Sequence, residues 1–249
     1  MKLAVRGAGV AVAVVGLGVG LAACSSGGGG TASTEGSDSA SAKPDAVAEV
    51  RAAADTAGLA GLPARVDGGV ITVGEADAPH TVKVYEDARC PFCKKFEEGG
   101  ARALVKPVAD GDVKIEYTIA SFLDNNLGGS GSVKAANALR ASVDAGKFPE
   151  FHAAVYANQP ADESVDAYTD AFLLKIAGKV EGLRSAAFDK AVNDGSYEKW
   201  VGRAMQSFRD DGVQGTPTVL IDGKKAGGGE DAMYGEASFA AVLKQAGIS

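Results

Sequence analysis

The sequence predicts an α/β domain in which a small central sheet carries helices on both faces and accepts a long helical insertion. Three observations carry that expectation. Apolar alternation marks strands at Thr81–Glu86, Val113–Ala120 and Thr218–Ile221. Between Ala120 and Thr218 the strand signals stop and helical patterns follow one another. The first strand runs directly into Cys90-Pro91-Phe92-Cys93 and a stretch without Gly or Pro to Glu98, which reads as a strand ending at the first turn of a helix.

The bulk numbers set limits. The 249 residues suffice for one large domain or two small ones. The 34 glycines are about twice the usual share of roughly 7%, and much of the excess lies in the first 36 residues and in loops. Net charge is −7, from 25 basic and 32 acidic residues. The basic clusters are no longer than Lys94–Lys95 and Lys224–Lys225. Phosphate binding needs a basic face, so nucleic acid is excluded as a partner. The acidic balance reads as solubility.

In chain order, residues 1–23 read as a signal peptide. Lys2 and Arg6 open it, and Gly7 to Ala23 is uncharged but too short and Gly-rich for a spanning helix. Gly16, Gly18 and Gly20 lie in no strand–turn–helix unit, so they are not a phosphate loop. Leu21-Ala22-Ala23-Cys24 resembles the bacterial lipoprotein box. That resemblance implies cleavage before Cys24, a diacylglycerol thioether on its sulfur and acylation such as palmitate. The rival is an ordinary signal peptide with a stray Cys. Residues 24–44 read as the lipidated Cys and a flexible Ser/Gly linker, which spans about 25 Å on average.

Residues 45–249 form the folded domain. Asp45 to Gly58 is Ala-rich and reads as a helix. Ala64 to Gly74 reads as a short strand or hairpin turning at Asp67-Gly68-Gly69. Pro91 to Lys106 reads as one helix stopped by Pro107. The insertion, about 128–211, holds helical patterns at Ser132–Ala145, Phe148–Ala157, Ser164–Ala177, Gly182–Asn193 and Ser196–Asp211. A turn at Asp222-Gly223, a brief Lys224–Ala226 strand and a helix over Glu236–Ala246 close the chain. Without the insertion this order is a thioredoxin-like pattern.

Cys90 and Cys93 carry the chemistry. A helix N-terminus supplies backbone N–H groups and a partial positive charge, which stabilise a thiolate. Pro91 suits the first helical position, because its fixed φ matches and its missing N–H is not needed there. Cys90 is then the exposed, attacking sulfur and Cys93 the buried, resolving one. Arg89, Lys94 and Lys95 are expected to add positive charge beside Cys90. A structural disulfide over so tight a loop adds little stabilisation. Zinc wants about four ligands, and His80 and His152 are the only histidines, so no metal site is expected. The second half of the evidence is Gly215-Thr216-Pro217-Thr218 before a strand. A Thr216–Pro217 bond there could be cis. The backbone before it could then pair with an extended substrate.

Cys90-Pro91-Phe92-Cys93 after a strand, a helical insertion and Gly-Thr-Pro-Thr before a strand together resemble the DsbA-like thioredoxin-fold family of extracytoplasmic disulfide oxidoreductases. The resemblance runs over Val70 to Ile248. It implies Cys90 as nucleophile, Cys93 as resolving thiol, and Pro217, preceded by Thr216, as a cis-proline facing the dithiol. The best-known member has His where Phe92 stands, and Phe92 cannot donate a hydrogen bond, so a less extreme thiolate is expected. Glu86 and Asp87 read as a proton acceptor for Cys93 or as solvated loop charges, the latter preferred. His152 and Trp200 read as packing, and Phe92, Phe96 and Phe122 as an apolar rim for clients or as core.

The expected protein is a lipid-anchored thiol–disulfide oxidoreductase on the extracytoplasmic face of the cell membrane, oxidising exported client proteins and reoxidised by a membrane redox partner. It needs no metal or organic cofactor. The alternatives are a thiol reductase or disulfide isomerase, a non-catalytic client-binding lipoprotein, and a metal-handling lipoprotein.

Overall fold

The structure, a computed structural model, describes residues 49–52, 58–229 and 231–249. All of these belong to one compact unit, Asp45–Ser249. The expected signal peptide, Cys24 and the linker lie outside the described residues. So does most of the expected Asp45–Gly58 helix, whose described parts at 49–52 and 58 are not helical.

The chain opens with a hairpin, β1 (Ala64–Asp67) and β2 (Val70–Val73), and then β3 (His80–Asp87). Next come α1 (Pro91–Glu98), a 3-10 turn (Gly100–Leu104), α2 (Val105–Ala109) and β4 (Val113–Ala120). The insertion holds α3 (Leu123–Leu127), α4 (Gly131–Asp144), α5 (Phe148–Ala157), α6 (Asp170–Ala177), α7 (Ala186–Asn193) and α8 (Glu198–Asp210). The chain ends in β5 (Thr218–Ile221), β6 (Lys224–Lys225) and α9 (Glu236–Gln245).

The sheet has the order β1-β2-β4-β3-β5-β6, with β3 parallel to β4 and the other pairs antiparallel. β3 is central and runs through the core, with Val82 and Val84 fully buried. A parallel neighbour requires a crossover, and α1 through α2 supply it. β5 pairs Thr218 with Tyr85 and Val219 with Val84. That register carries the residues just before Thr218 back toward the C-terminal end of β3.

Two expected helices start late, Ser164–Ala177 at Asp170 and Gly182–Asn193 at Ala186, because Thr169 and Ser185 cap them by accepting from the N–H groups of Phe172 and Phe188. Three further differences concern the kind of element. The Pro91–Lys106 helix is broken after Glu98. The reason is a close approach: a Cβ on Gly99 would lie 2.1 Å from the Tyr234 carbonyl oxygen, and one on Gly100 would lie 1.8 Å from that of Met233. The crossing backbone leaves no room for side chains. Pro107 does not stop a helix but sits near the start of α2, where its missing N–H costs nothing. α3 was not legible in the sequence; at five residues it is too short to show a period.

The Gly100→Ala substitution is expected to destabilise the fold by about 1–3 kcal/mol through overpacking. Urea denaturation checks this, and a wild-type midpoint would show that the Met233 segment yields freely.

Candidate active site

The start of α1 puts the two cysteines in unequal places. Cys90 is the N-cap residue with extended dihedrals, φ −72° and ψ 118°, and Pro91 follows at the first helical position. Cys90 is 6% exposed and Cys93 fully buried, and neither is in a disulfide. Cys90 is therefore the more accessible sulfur but sits in a recess, less open than expected.

The Thr216–Pro217 bond is cis. The β3–β5 register brings Thr216 to the dithiol, where the Cys90 thiol donates to the Thr216 carbonyl at 3.3 Å across 126 residues of sequence. The Cys90 thiol is lowered to about 6, mainly by its hydrogen bond with Cys93. Burial opposes the shift; the Thr216 side chain and the backbone N–H groups of Cys93 and Phe92 add to it. Burial, and then the proximity of Cys90, push Cys93 well above the ordinary thiol range. One sulfur is thus set to be a thiolate near neutral pH and the other to hold its proton.

The expected cationic contribution is corrected. The Arg89 side chain is buried and turned into the insertion, donating to Asp124 Oδ1 at 2.9 Å, to the Gly128 carbonyl at 2.7 Å and to the Glu163 carbonyl at 3.0 Å. Lys94 donates to the Gln159 carbonyl, and Lys95 lies over the Tyr234 ring. These cations hold structure, and the sulfur's own hydrogen bonds ionise it.

Glu86 and Asp87 are corrected too. Neither is a solvated loop charge; both end β3 and are fully buried. Alternation sends them to opposite faces. Asp87 accepts from the Ser132 hydroxyl at 2.7 Å and from the backbone N–H groups of Arg89 and Leu123. Glu86 meets His152 of α5, with Nε2 and Oε1 2.5 Å apart, and Glu97 of α1 faces the same ring at 3.7 Å. Burial raises both Glu86 and Glu97 to about 8, and burial lowers His152. His152 does pack, its ring lying 4.7–5.2 Å from those of Tyr117, Phe148 and Tyr156, but it also shares a proton-binding cluster that a lone His in a helical pattern did not reveal. The charge of Glu86 adds to the upward push on Cys93.

Glu86, Glu97 and His152 offer ligand atoms within 4.8 Å of one another, the donor types that hold divalent cations. His152 and Glu86 bond directly at 2.5 Å, closer than the roughly 3 Å between two ligands of one zinc ion with bonds near 2.0–2.2 Å. That geometry fits a shared proton better than a metal. Of the three phenylalanines, Phe92 is 56% exposed beside Cys90, Phe96 is core, and Phe122 stacks on Phe208. Only Phe92 forms a rim. Trp200 is core.

A model of the thioredoxin family matches residues 67–237. The chain belongs to the thioredoxin family. Within that family it is a DsbA-like thiol–disulfide oxidoreductase by fold and relatives. It is 27% identical over 155 residues to disulfide bond formation protein D of Bacillus subtilis, covering 61% of this chain and 67% of that one. The oxidised Mycobacterium tuberculosis DsbA structure superposes with a TM-score of 0.56 at 27% identity, over 72% of this chain and 92% of that one. The Mycobacterium tuberculosis serine/threonine-protein kinase PknE is 26% identical over 157 residues, but the match spans only 28% of the kinase.

Alkylation of the reduced protein is expected to show Cys90 reacting with a midpoint near pH 6, because reactivity follows the thiolate and the shift is downward. Cys93 should stay unreactive through neutral pH. Mass mapping of the labelled sulfurs checks both, and equal rates would refute the helix-start geometry.

Proposed function

We propose that the protein is an extracytoplasmic, membrane-anchored oxidase of thiols in exported proteins. The observation that carries this reading is the dithiol itself, with Cys90 lowered to about 6 at a helix start while Cys93 is held protonated beneath it. A stabilised thiolate favours the reduced form, and an enzyme whose reduced form is favoured is an oxidant.

In the disulfide form a client thiolate attacks Cys90 Sγ. The Cys90–Cys93 bond breaks, and its electron pair goes to Cys93, which takes a proton. The client's second thiolate then attacks the client sulfur of the mixed disulfide and expels Cys90 as a thiolate, a good leaving group because its pKa is low. The client loses two electrons and the enzyme gains them. A membrane partner removes them again. No organic cofactor or metal takes part in this sequence. Thr216 and Pro217 flank the reacting sulfur and offer the client an extended backbone edge. Phe92, tilted against Tyr234 with centroids 6.2 Å apart, offers apolar contact. Phe92 cannot donate a hydrogen bond to Cys90, so the thiolate is less stabilised than the roughly 3.5 known for DsbA.

The reduction potential of the Cys90/Cys93 couple, measured against glutathione, tests the direction. It is expected to lie well above the roughly −270 mV of thioredoxin, with wild-type protein, but not Cys90→Ser, forming disulfides in a reduced client. A value near thioredoxin's would make the protein a reductase. Unimpaired client refolding by Cys90→Ser would make it a client-binding protein.

Support for the anchor comes from the sequence alone: an apolar leader, Cys24 after Leu21-Ala22-Ala23, and a polar tether. No helix among the described residues is long and apolar enough to cross a membrane. Cys24→Ala is expected to move the protein from the membrane to the soluble fraction with its redox activity intact. Retained membrane association would refute a single lipid anchor.

A further inference from the structure

The turn that delivers Cys90 to the helix start is fastened from outside the thioredoxin core. Its own bond is short-range: the Cys90 N–H donates to the Asp87 carbonyl at 2.9 Å. That leaves the carbonyls of Ala88 and Cys90 facing the insertion. One side chain meets both. Gln159, just past the end of α5, donates from Nε2 to the Ala88 carbonyl at 2.6 Å and to the Cys90 carbonyl at 2.9 Å. An amide nitrogen carries two hydrogens, so both are used. Two carbonyl oxygens demand a donor, which fixes the nitrogen toward the turn and leaves Gln159 Oε1 buried without a partner.

Gln159 is itself held. Its N–H donates to the Tyr156 carbonyl at 3.1 Å, its carbonyl accepts from Lys94 Nζ at 3.3 Å, and Pro160 restricts its backbone. The residue is 4% exposed. Lys94 lies in α1, one residue beyond Cys93, so the link between the insertion and the dithiol turn is made in both directions. The Cys90 carbonyl also accepts the N–H groups of Cys93 and Lys94, at 3.1 and 3.2 Å. Gln159 thus reaches the first carbonyl of the helix as well as the turn before it. Rotation of that peptide would swing Cys90 Sγ away from the N–H groups of Phe92 and Cys93 and from Thr216.

We propose that Gln159 is a positioning residue for Cys90: its amide, reaching from the insertion, holds the Ala88–Arg89 peptide ahead of the nucleophile and the Cys90–Pro91 peptide behind it, and so aims the sulfur at the helix N-terminus. This rests on Cys90 being the attacking thiol. The role is chemical as well as mechanical, because a side chain of equal size without donors fills the space and still leaves the Ala88 carbonyl unpaired.

The test is the pH profile of Cys90 alkylation in reduced wild-type, Gln159→Met and Gln159→Glu proteins. Methionine keeps length and volume without donors, and glutamate turns the two donors into acceptors. In both variants the midpoint is expected to rise by about half to one pH unit, which is about a three- to tenfold slower reaction below the wild-type midpoint. Cys90 of folded Gln159→Met ionising as in wild type would overturn the proposal. A wild-type Cys90 with an ordinary thiol profile would overturn the attacking-thiol reading, and this proposal with it. Should neither variant fold, hydrogen exchange of the Gln159 side-chain amide in the wild-type protein decides. Both protons are expected to be protected, and exchange as fast as that of an exposed amide would overturn the assignment.

Discussion

The site depends on where α1 begins. Cys90 is the last extended residue and Pro91 the first helical one. That boundary points a sulfur at the first backbone N–H groups of the helix, those of Phe92 and Cys93. A start one residue later would take Cys90 out of reach of those donors, and a start one residue earlier would bury it in the first turn. Pro91 fixes the boundary locally through its φ. Its distant support is the antiparallel pairing of Thr218 with Tyr85, which brings Thr216 against the sulfur. A local preference and a long-range register therefore agree on one atom's position.

Beneath the dithiol the sheet does something a core strand seldom does: it ends in two buried acids. Their fates differ because the strand alternates. Asp87 points toward hydrogen-bond donors and organises α3 and α4 around the turn. Glu86 points toward α1 and α5, where its neighbours are another carboxyl and an imidazole. Two carboxylates cannot both stay charged in so dry a place, so they hold protons into the neutral range. The insertion contributes side chains to the surroundings of the dithiol. It supplies His152 to the cluster, Asp124 to Arg89, and Ser132 to Asp87.

Much of the fold was legible because its signals are local. Val113–Ala120, Phe148–Ala157 and Thr218–Ile221 were read with the bounds the structure gives, since alternation, a Pro in a first turn and flanking Gly act within a few residues. The broken helix at Gly99-Gly100 was not legible. Its cause is the backbone of Met233 and Tyr234, more than a hundred residues away, and a Gly pair alone does not name what crosses it.

The sequence by itself determined the residue types at the candidate site: two thiols with two residues between them, a Pro there that starts a helix, and a Thr-Pro pair ahead of a strand. These are statements about residue types at short spacing, and short spacing survives without a fold. Only the tertiary structure decided the surroundings. It showed that Arg89 leaves the sulfur and binds the insertion, that Glu86 is buried against His152 and not solvated, and that Gln159 holds the turn. Each of these depends on which side of a strand or helix faces which neighbour. A charged or amide side chain reads the same in sequence whether it ends in water or in the core, so burial, which sets its protonation and its partners, becomes visible only when the layers close.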